Sequence, residues 1–249
     1  MNVSSVASPV LSIRNLNIDA LTPEGLKPVL REVDFDLANG ETLCIAGESG
    51  SGKSVTSLAI MGLLPTASGA MSYGLGAESV DISRIAADRR APLGIAYVPQ
   101  GREIFSQLTV EENLRIGFGA RRGAPIREIP EQIFGWFPVL KKMLRRRGGD
   151  LSGGQQQQLA IGRAMVLDPK LLILDEPAEG IQPNIVHEIG DIIMKLNREA
   201  KLTVLLVEQK LPFARRVASE FRIIDKGRIV GGGEIAALTD DLVHQHLTV

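Results

Sequence analysis

A glycine-rich loop between a predicted strand and a predicted helix constrains the fold of this chain most strongly. Residues 47–54 read Gly-Glu-Ser-Gly-Ser-Gly-Lys-Ser and fit the phosphate-loop pattern in full. The apolar run 41–46 predicts a buried strand, and the helical spacing from Lys53 to Leu64 ends at Pro65. Such a unit aims backbone N–H groups and the positive end of a helix at one point. We therefore expect an α/β fold built around a phosphate site.

Every residue of this loop is a candidate ATP ligand. The set is Gly47, Glu48, Ser49, Gly50, Ser51, Gly52, Lys53 and Ser54. Lys53 would reach the β- and γ-phosphates, and the Ser54 hydroxyl would ligate Mg²⁺. The alternative is an accidental glycine turn, which should match this pattern in roughly one random chain of this length in a hundred. The strand before the loop and the helix after it make that alternative rarer still.

A second acidic motif follows an apolar run late in the chain. Residues 171–174 are all Leu or Ile, and Asp175 and Glu176 come directly after them. A buried parallel strand would deliver both carboxylates to the sheet edge where phosphates bind. Asp175 would hold Mg²⁺, and Glu176 would orient and polarise the attacking water. Taken alone, the pattern also fits a strand that ends at an exposed acidic turn before Pro177.

The amino-terminal region has the patterning of a small antiparallel sheet. Residues 11–18 and 33–37 alternate apolar and polar side chains, as half-buried strands do, and residues 22–25 predict a turn. The pair Asn39-Gly40 is typical of a hairpin. Residues 66–79 are rich in Gly, Ser and Ala without a clear period, which predicts a loop with short extended pieces.

The carboxyl-terminal half alternates strands with helices. Residues 170–175 and 202–207 predict buried parallel strands, and 185–199 predicts an amphipathic helix between them. Two short strands are expected within 221–230, and residues 101–149 contain helical stretches. This alternation indicates an α/β fold with a parallel sheet.

Composition excludes several classes of function. The net charge of −1 gives no electrostatic basis for nucleic acid as a main ligand. Cys44 is the single cysteine, which excludes an internal disulfide and indicates a reducing environment. No apolar run approaches the roughly 20 residues of a membrane helix, and residues 1–9 lack the features of a secretory signal. We expect a cytosolic chain whose membrane role would come through a partner.

Residues 151–155 read Leu-Ser-Gly-Gly-Gln and lie between the two halves of the predicted site. With the phosphate loop and the Asp-Glu strand, they resemble the signature motif of ABC transporter ATP-binding subunits, and the resemblance covers essentially the whole chain. It implies an ATPase with a P-loop core, a parallel sheet, an amino-terminal antiparallel β subdomain and an inserted helical subdomain at about 101–165. One domain would span 1–249 and use ATP and Mg²⁺.

The resemblance also implies roles for residues outside the phosphate loop. In the family the signature, here Leu151, Ser152, Gly153, Gly154 and Gln155, caps the γ-phosphate of ATP held by the opposite subunit. A serine and two glycines that begin a helix agree with such an anion site. Gln100 matches the Q-loop glutamine and would contact Mg²⁺ or the attacking water. Without the other motifs, Gln100 would read as a surface glutamine.

Three positions depart from the family pattern. Gln209 stands where a switch histidine is usual; it can hydrogen-bond a γ-phosphate but cannot carry a proton charge. Ala20 replaces the aromatic residue that stacks on adenine. Residues 179–182, at the D-loop position, read Glu-Gly-Ile-Gln instead of a Ser-Ala-Leu-Asp type. We expect this chain to hydrolyse ATP slowly at its own site and to work best beside a second subunit with a histidine switch.

The finer resemblance is divided. The first half is similar to peptide-importer ATPases at residues 22–25, 40–43 and 47–50. The second half is similar to urea and branched-chain amino acid importer ATPases at residues 97–105, 151–158, 179–183 and 207–209. We interpret the chain as a mosaic, with divergence within one branch as the alternative.

The second half holds the segments that meet the membrane subunits in this family. It therefore favours urea over branched-chain amino acids, and both over peptides, as the solute. Two alternatives remain: a non-transport ABC ATPase, and an inert mosaic that folds and binds ATP without a working partner. The implied partners are transmembrane permease subunits, a second ATP-binding subunit in a homo- or heterodimer and, indirectly, a solute-binding protein. The expected location is peripheral, on the cytoplasmic inner face of the cell membrane.

Overall fold

The structure is a computed structural model that describes residues 9–22, 25–74, 78–120, 128–239 and 241–242. Its strands are β1 (Pro9–Thr22), β2 (Gly25–Ala38), β3 (Thr42–Ala46), β4 (Ser68–Tyr73), β5 (Val80–Asp81), β6 (Ile95–Val98), β7 (Leu171–Asp175), β8 (Thr203–Glu208), β9 (Glu220–Asp225) and β10 (Arg228–Glu234). Its helices are α1 (Lys53–Met61), α2 (Ala87–Arg90), α3 (Val110–Ile116), α4 (Glu131–Trp136), α5 (Pro138–Lys141), α6 (Gly153–Met165), α7 (Pro183–Ala200) and α8 (Leu211–Val217). Short 3-10 turns lie at Ala91–Leu93, Gly117–Ala120, Gly148–Asp150 and Ile235–Ala237.

A six-stranded sheet in the order β10-β9-β3-β8-β7-β6 forms the centre of the fold. All its pairings are parallel except that of β10 with β9. Strands β3, β7 and β8 are buried along their full length, because both faces of the sheet are covered. Alternate residues enter two different cores: Cys44 packs with the helices after β6, and Ile45 packs with α1 and the amino-terminal sheet. The predicted parallel sheet is confirmed.

The amino-terminal sheet is antiparallel and four-stranded, in the order β2-β1-β4-β5. The hairpin prediction at Asn39-Gly40 is wrong: β2 pairs with β1, whereas β3 pairs with β8 and β9. The turn instead carries the chain from one sheet to the other. Residues 66–79 are predicted as a loop with short extended pieces, and β4 is one such piece: a six-residue strand that forms because it pairs with β1. Of the predicted turn at 22–25, Pro23 and Glu24 lie outside the described residues.

The helices α3 to α6 all lie between β6 and β7 in the chain. Trp136, Phe137 and Leu140 are buried in the core that these helices share with one face of the central sheet. Helix α1 ends at Met61, earlier than the predicted Leu64. Gly62 adopts φ 73° and its N–H reaches back to the carbonyls of Leu58 and Ala59, so it caps the helix before Pro65.

Candidate active site

The phosphate loop joins β3 to α1, and two of its glycines are required by close approach or conformation. A Cβ at Gly47 would lie 2.5 Å from the carbonyl oxygen of Ile224. Gly52 is the N-cap of α1 and adopts φ 108°, which residues with a Cβ rarely do. Both glycines let the backbone turn tightly at the end of β3, so the loop wraps the amino-terminal end of α1.

Lys53 lies at the centre of this loop. Its ammonium donates to the carbonyl oxygens of Gly47 at 2.8 Å and Glu48 at 2.7 Å, and the side chain is 3% exposed. The same nitrogen lies 3.7 Å from Oε1 of Glu176. The structure thus brings the predicted phosphate-binding lysine beside the predicted hydrolytic carboxylate, although they lie 123 positions apart in the sequence.

Asp175 ends β7 beside the first turn of α1. Its Oδ1 accepts a hydrogen bond from the Ser54 hydroxyl at 3.0 Å, and its Oδ2 accepts one from the Tyr97 hydroxyl at 3.1 Å. Burial raises the pKa of Asp175, and the two hydroxyls partly offset this by stabilising the carboxylate. Tyr97 was not predicted as a site residue. Its place on β6, which pairs in parallel with β7, is what brings its hydroxyl to Asp175.

Glu176 follows Asp175 in a left-handed backbone conformation, φ 47°, which turns the chain sharply after β7. Its N–H donates to the carbonyl oxygen of Val207 at 2.8 Å, which fixes this turn to β8. Burial raises the pKa of Glu176, and the nearby Lys53 ammonium opposes that shift. A carboxylate with a raised pKa beside a cation is suited to accept a proton from water.

Glu208 is a second buried acid at this edge of the sheet, and the sequence did not single it out. It ends β8 at 1% exposure, and its Oε1 accepts the backbone N–H groups of Gln209 and Lys210, each at 2.9 Å. Its Oε2 has no hydrogen-bond partner among the described residues. Desolvation raises its pKa, and the Glu176 charge adds to that shift. Glu208 therefore fixes the backbone of the predicted switch residue.

The side chains of the two predicted glutamines, Gln100 and Gln209, lie apart from the cluster formed by Lys53, Ser54, Asp175 and Glu176. The Gln100 amide donates to Oε2 of Glu179 at 2.9 Å, and no hydrogen bond in the described ranges joins it to Ser54 or Asp175. The Gln209 side chain is exposed and lines a groove of about 490 Å³ between α7 and α8. The metal-ligand role of Gln100 and the catalytic role of Gln209 stay predictions.

The signature residues form the start of α6. Ser152 is the N-cap: its hydroxyl accepts the N–H of Gln155 at 3.4 Å, and Oε1 of Gln155 accepts the N–H of Ser152 at 3.0 Å. This capping box leaves the first N–H groups of the helix at a partly exposed surface. Leu151 is buried. A Cβ at Gly154 would lie less than 3.0 Å from Cγ2 of Ile185 on α7, so this glycine lets two helices pack closely.

The donor set fits a magnesium–nucleotide complex. Ser54 and Asp175 supply two oxygens that already lie within hydrogen-bond distance, and oxygen is the ligand that Mg²⁺ prefers. The described residues hold no cluster of three or more His, Cys, Asp or Glu side chains that would suit another metal. No helix in the described part of the chain is long and apolar enough to cross a membrane.

The class of protein follows from these elements, which are those of a P-loop nucleotide phosphohydrolase: a glycine loop around a helix end, a buried lysine, a hydrogen-bonded Ser–Asp pair and an adjacent glutamate. The family comparison then narrows the class: the model described as "ABC transporter" matches residues 30–179. The chain belongs to the ABC transporter family and is an ATPase.

Curated relatives agree with this assignment, and a solved structure agrees with the fold. The high-affinity branched-chain amino acid transport ATP-binding protein BraG of Pseudomonas aeruginosa is 40% identical over 84% of this chain and 88% of its own length. The probable branched-chain amino acid transport ATP-binding protein LivF of Archaeoglobus fulgidus is 35% identical over 82% and 85%. A dimeric, post-hydrolysis ATP-binding cassette bound to ADP and Pi has a TM-score of 0.80 at 23% identity, covering 90% of this chain and 98% of its own. That last likeness supports the fold alone. The alignment with BraG takes in parts of both halves, and the mosaic origin stays a hypothesis.

Proposed function

We propose that this chain is the ATP-hydrolysing subunit of an ABC importer. The position of Glu176 carries the proposal. Its Oε1 lies 3.7 Å from the Lys53 ammonium, and the residue directly follows Asp175, which is hydrogen-bonded to Ser54. A glutamate there can orient a water for in-line attack on a γ-phosphate that Lys53 binds. The whole chain, 1–249, would form one ATP-binding domain with a helical subdomain at about 101–165.

Each residue of the site then has a defined task in hydrolysis. The phosphate loop binds the triphosphate through backbone N–H groups, and Lys53 exchanges its two carbonyl partners for β- and γ-oxygens. Ser54 and Asp175 would hold Mg²⁺, which neutralises charge on the phosphates. Glu176 takes the proton of the attacking water. Gln209, whose backbone N–H donates to Glu208, would turn its side chain from the groove between α7 and α8 to reach the γ-phosphate.

A second ATP-binding subunit completes the proposal. Among the described residues, no hydrogen bond joins 151–155 to the phosphate loop of the same chain. The exposed Ser152 cap is an anion site that a neighbouring subunit's nucleotide fits. Closure on two ATP molecules would move transmembrane permease subunits, to which a solute-binding protein delivers solute. The chain would then lie peripherally on the inner face of the membrane.

The solute is a branched-chain amino acid or urea in this proposal. BraG and LivF are named for branched-chain amino acid transport, which supports that half of the sequence-based expectation. The preference for urea stays a prediction. Uptake of radiolabelled leucine and urea by cells with and without this chain would separate the two solutes.

Glu176→Gln tests the chemistry. The variant should bind Mg·ATP with the affinity of the unchanged protein and lose at least about 100-fold in kcat, because the amide cannot accept a proton. Glu199→Gln, an exposed change on α7, is the matched control and should leave kcat unaltered. Hydrolysis by Glu176→Gln at the parent rate would remove Glu176 from this role. Co-purification with a permease supports the importer, whereas co-purification with ribosomes or DNA contradicts it.

A further inference from the structure

Arg102 contacts two segments that belong to separate motifs, the D-loop and the signature helix α6. Its Nη2 donates to the carbonyl oxygen of Glu179 in the D-loop at 3.0 Å, and its Nε donates to Oε1 of Gln157 on α6 at 3.2 Å. A Cβ at Gly153, the first residue of the signature helix, would lie 3.3 Å from Nη1. The guanidinium therefore fills the space between the D-loop and the first turns of α6.

The backbone that presents Arg102 is unusual. Gly101, Arg102 and Glu103 all have positive φ, at 85°, 70° and 44°, a conformation that side chains with a Cβ disfavour. Arg163 of α6 donates to the carbonyl oxygens of Arg102 at 3.1 Å and Glu103 at 2.8 Å. The signature helix thus holds the loop through Arg163, and the loop holds the signature helix through Arg102.

The partner on α6 is a buried amide. Gln157 is 3% exposed, and its Nε2 has no hydrogen-bond partner among the described residues. Within the described part of the chain, the hydrogen bond that its Oε1 accepts from Arg102 therefore satisfies only one end of this amide. Gln157 lies one helical turn after Gly153. The hydrogen bond from Arg102 to Gln157 therefore holds the end of the helix that carries Ser152.

We propose that Arg102 is a positioning residue that sets the first turn of the signature helix relative to the D-loop. Arg102 fixes the direction in which the Ser152 cap meets the nucleotide of a second subunit. The inference rests on the proposed function, because it assumes that the signature acts on that nucleotide. Its consequence is that Arg102 controls turnover at the opposite subunit's site and leaves nucleotide binding to its own phosphate loop unaltered.

Substitutions in the full chain test this first. Arg102→Ala should lower kcat about tenfold, the effect of losing hydrogen bonds from a charged donor, with ADP affinity unaltered. Arg102→Lys should recover only part of that loss. Lysine keeps the positive charge, but its ammonium cannot reproduce the planar fork that meets two acceptors at once. Arg115→Ala removes the same charge from an exposed pair with Glu111 and should leave kcat and ADP affinity unchanged. Equal losses in kcat and ADP affinity for Arg102→Ala would overturn the proposal.

Mixed dimers then test which site Arg102 serves. Two differently tagged chains, one carrying Glu176→Gln, are mixed with Mg·ATP and isolated through both tags, so that one functional Glu176 remains. Placing Arg102→Ala on the Glu176→Gln chain should lower hydrolysis about tenfold, since that chain supplies the signature to the active site. Placing Arg102→Ala on the chain that keeps Glu176 should leave most of the ATP hydrolysis.

Equal losses in the two arrangements, or the reverse order, would overturn the role of Arg102 while leaving the proposed function intact. A parent mixed dimer, with Arg102 in both chains, that does not form or does not hydrolyse ATP would contradict composite sites, and with them both proposals.

Discussion

Gly154 offers a quantitative test of what the signature motif does inside one subunit. In Gly154→Ala the new Cβ would lie less than 3.0 Å from Cγ2 of Ile185, and 3.2 Å and 3.5 Å from its Cβ and Cγ1. Ordinary carbon–carbon contacts are about 3.5–4.0 Å, so α6 and α7 must separate or Ile185 must leave its rotamer. Overpacking of this kind costs about 3 kcal/mol at the upper end, and the higher helix propensity of alanine returns at most about 1 kcal/mol.

The net expectation is a loss of about 2 kcal/mol in the free energy of unfolding. For a chain of this size, that corresponds to a fall in Tm of about 4–8 °C, measurable by differential scanning fluorimetry. Gly135→Ala is the matched control, because a Cβ at Gly135 on α4 meets no atom within 4 Å. That substitution should leave Tm unchanged or raise it slightly.

The second-site variants of Ile185 identify the atom responsible. Ile185→Ala removes Cγ2 and should reduce the further loss of Tm caused by Gly154→Ala. Ile185→Val keeps both γ-carbons and should not. A Gly154→Ala protein with unchanged Tm but impaired turnover would refute the packing argument, since it would assign this glycine to nucleotide contact alone. Equal rescue by valine and alanine would refute the assignment to Cγ2.

Three further substitutions probe the carboxylate edge. Lys53→Ala should weaken ATP binding about 10- to 100-fold through the loss of charge-assisted hydrogen bonds, as measured by calorimetry; unaltered affinity would contradict the loop assignment. Burial raises the pKa of Glu208 above its unfolded value, so its contribution to stability falls as pH rises through the window between those two values. Glu208→Gln should therefore gain Tm relative to the parent between pH 4 and pH 8, and a constant difference would refute this. Gln209→His should raise kcat and make it depend on pH near the ordinary histidine pKa of about 6.5; a flat pH profile at the parent rate would count against a switch at this position.

The parts of the site that the sequence predicted are those built from contiguous residues. The phosphate loop, Asp175 and Glu176 each follow a run of buried apolar residues, and a parallel sheet brings the ends of such strands to one edge. The Ser152 cap likewise follows from a local pattern. The prediction of a hairpin at Asn39-Gly40 was wrong, because the residues of a turn do not specify which sheet the next strand joins.

The residues that sequence analysis missed owe their roles to the way strands and helices are arranged in the fold. Tyr97 reaches Asp175 across 78 positions, and Arg102 reaches Gln157 and Glu179 across 55 and 77. Glu208 lies in an unremarkable strand end until β8 is placed between β3 and β7. Pairing order and helix packing determine these contacts, and no spacing within one segment encodes them.

The D-loop links Glu176 to the signature helix through a short, continuous path. The N–H of Glu179 donates to the carbonyl oxygen of Glu176 at 3.1 Å, so both residues belong to one turn. Glu179 then accepts Gln100 on its carboxylate and Arg102 on its carbonyl oxygen. A displacement of the Glu176 backbone would therefore either break one of these hydrogen bonds or move Arg102 and the helix end beside it. In our proposal that helix end faces a second subunit. Hydrolysis at one nucleotide would therefore alter how the signature helix binds the other nucleotide, without direct contact between the two phosphates.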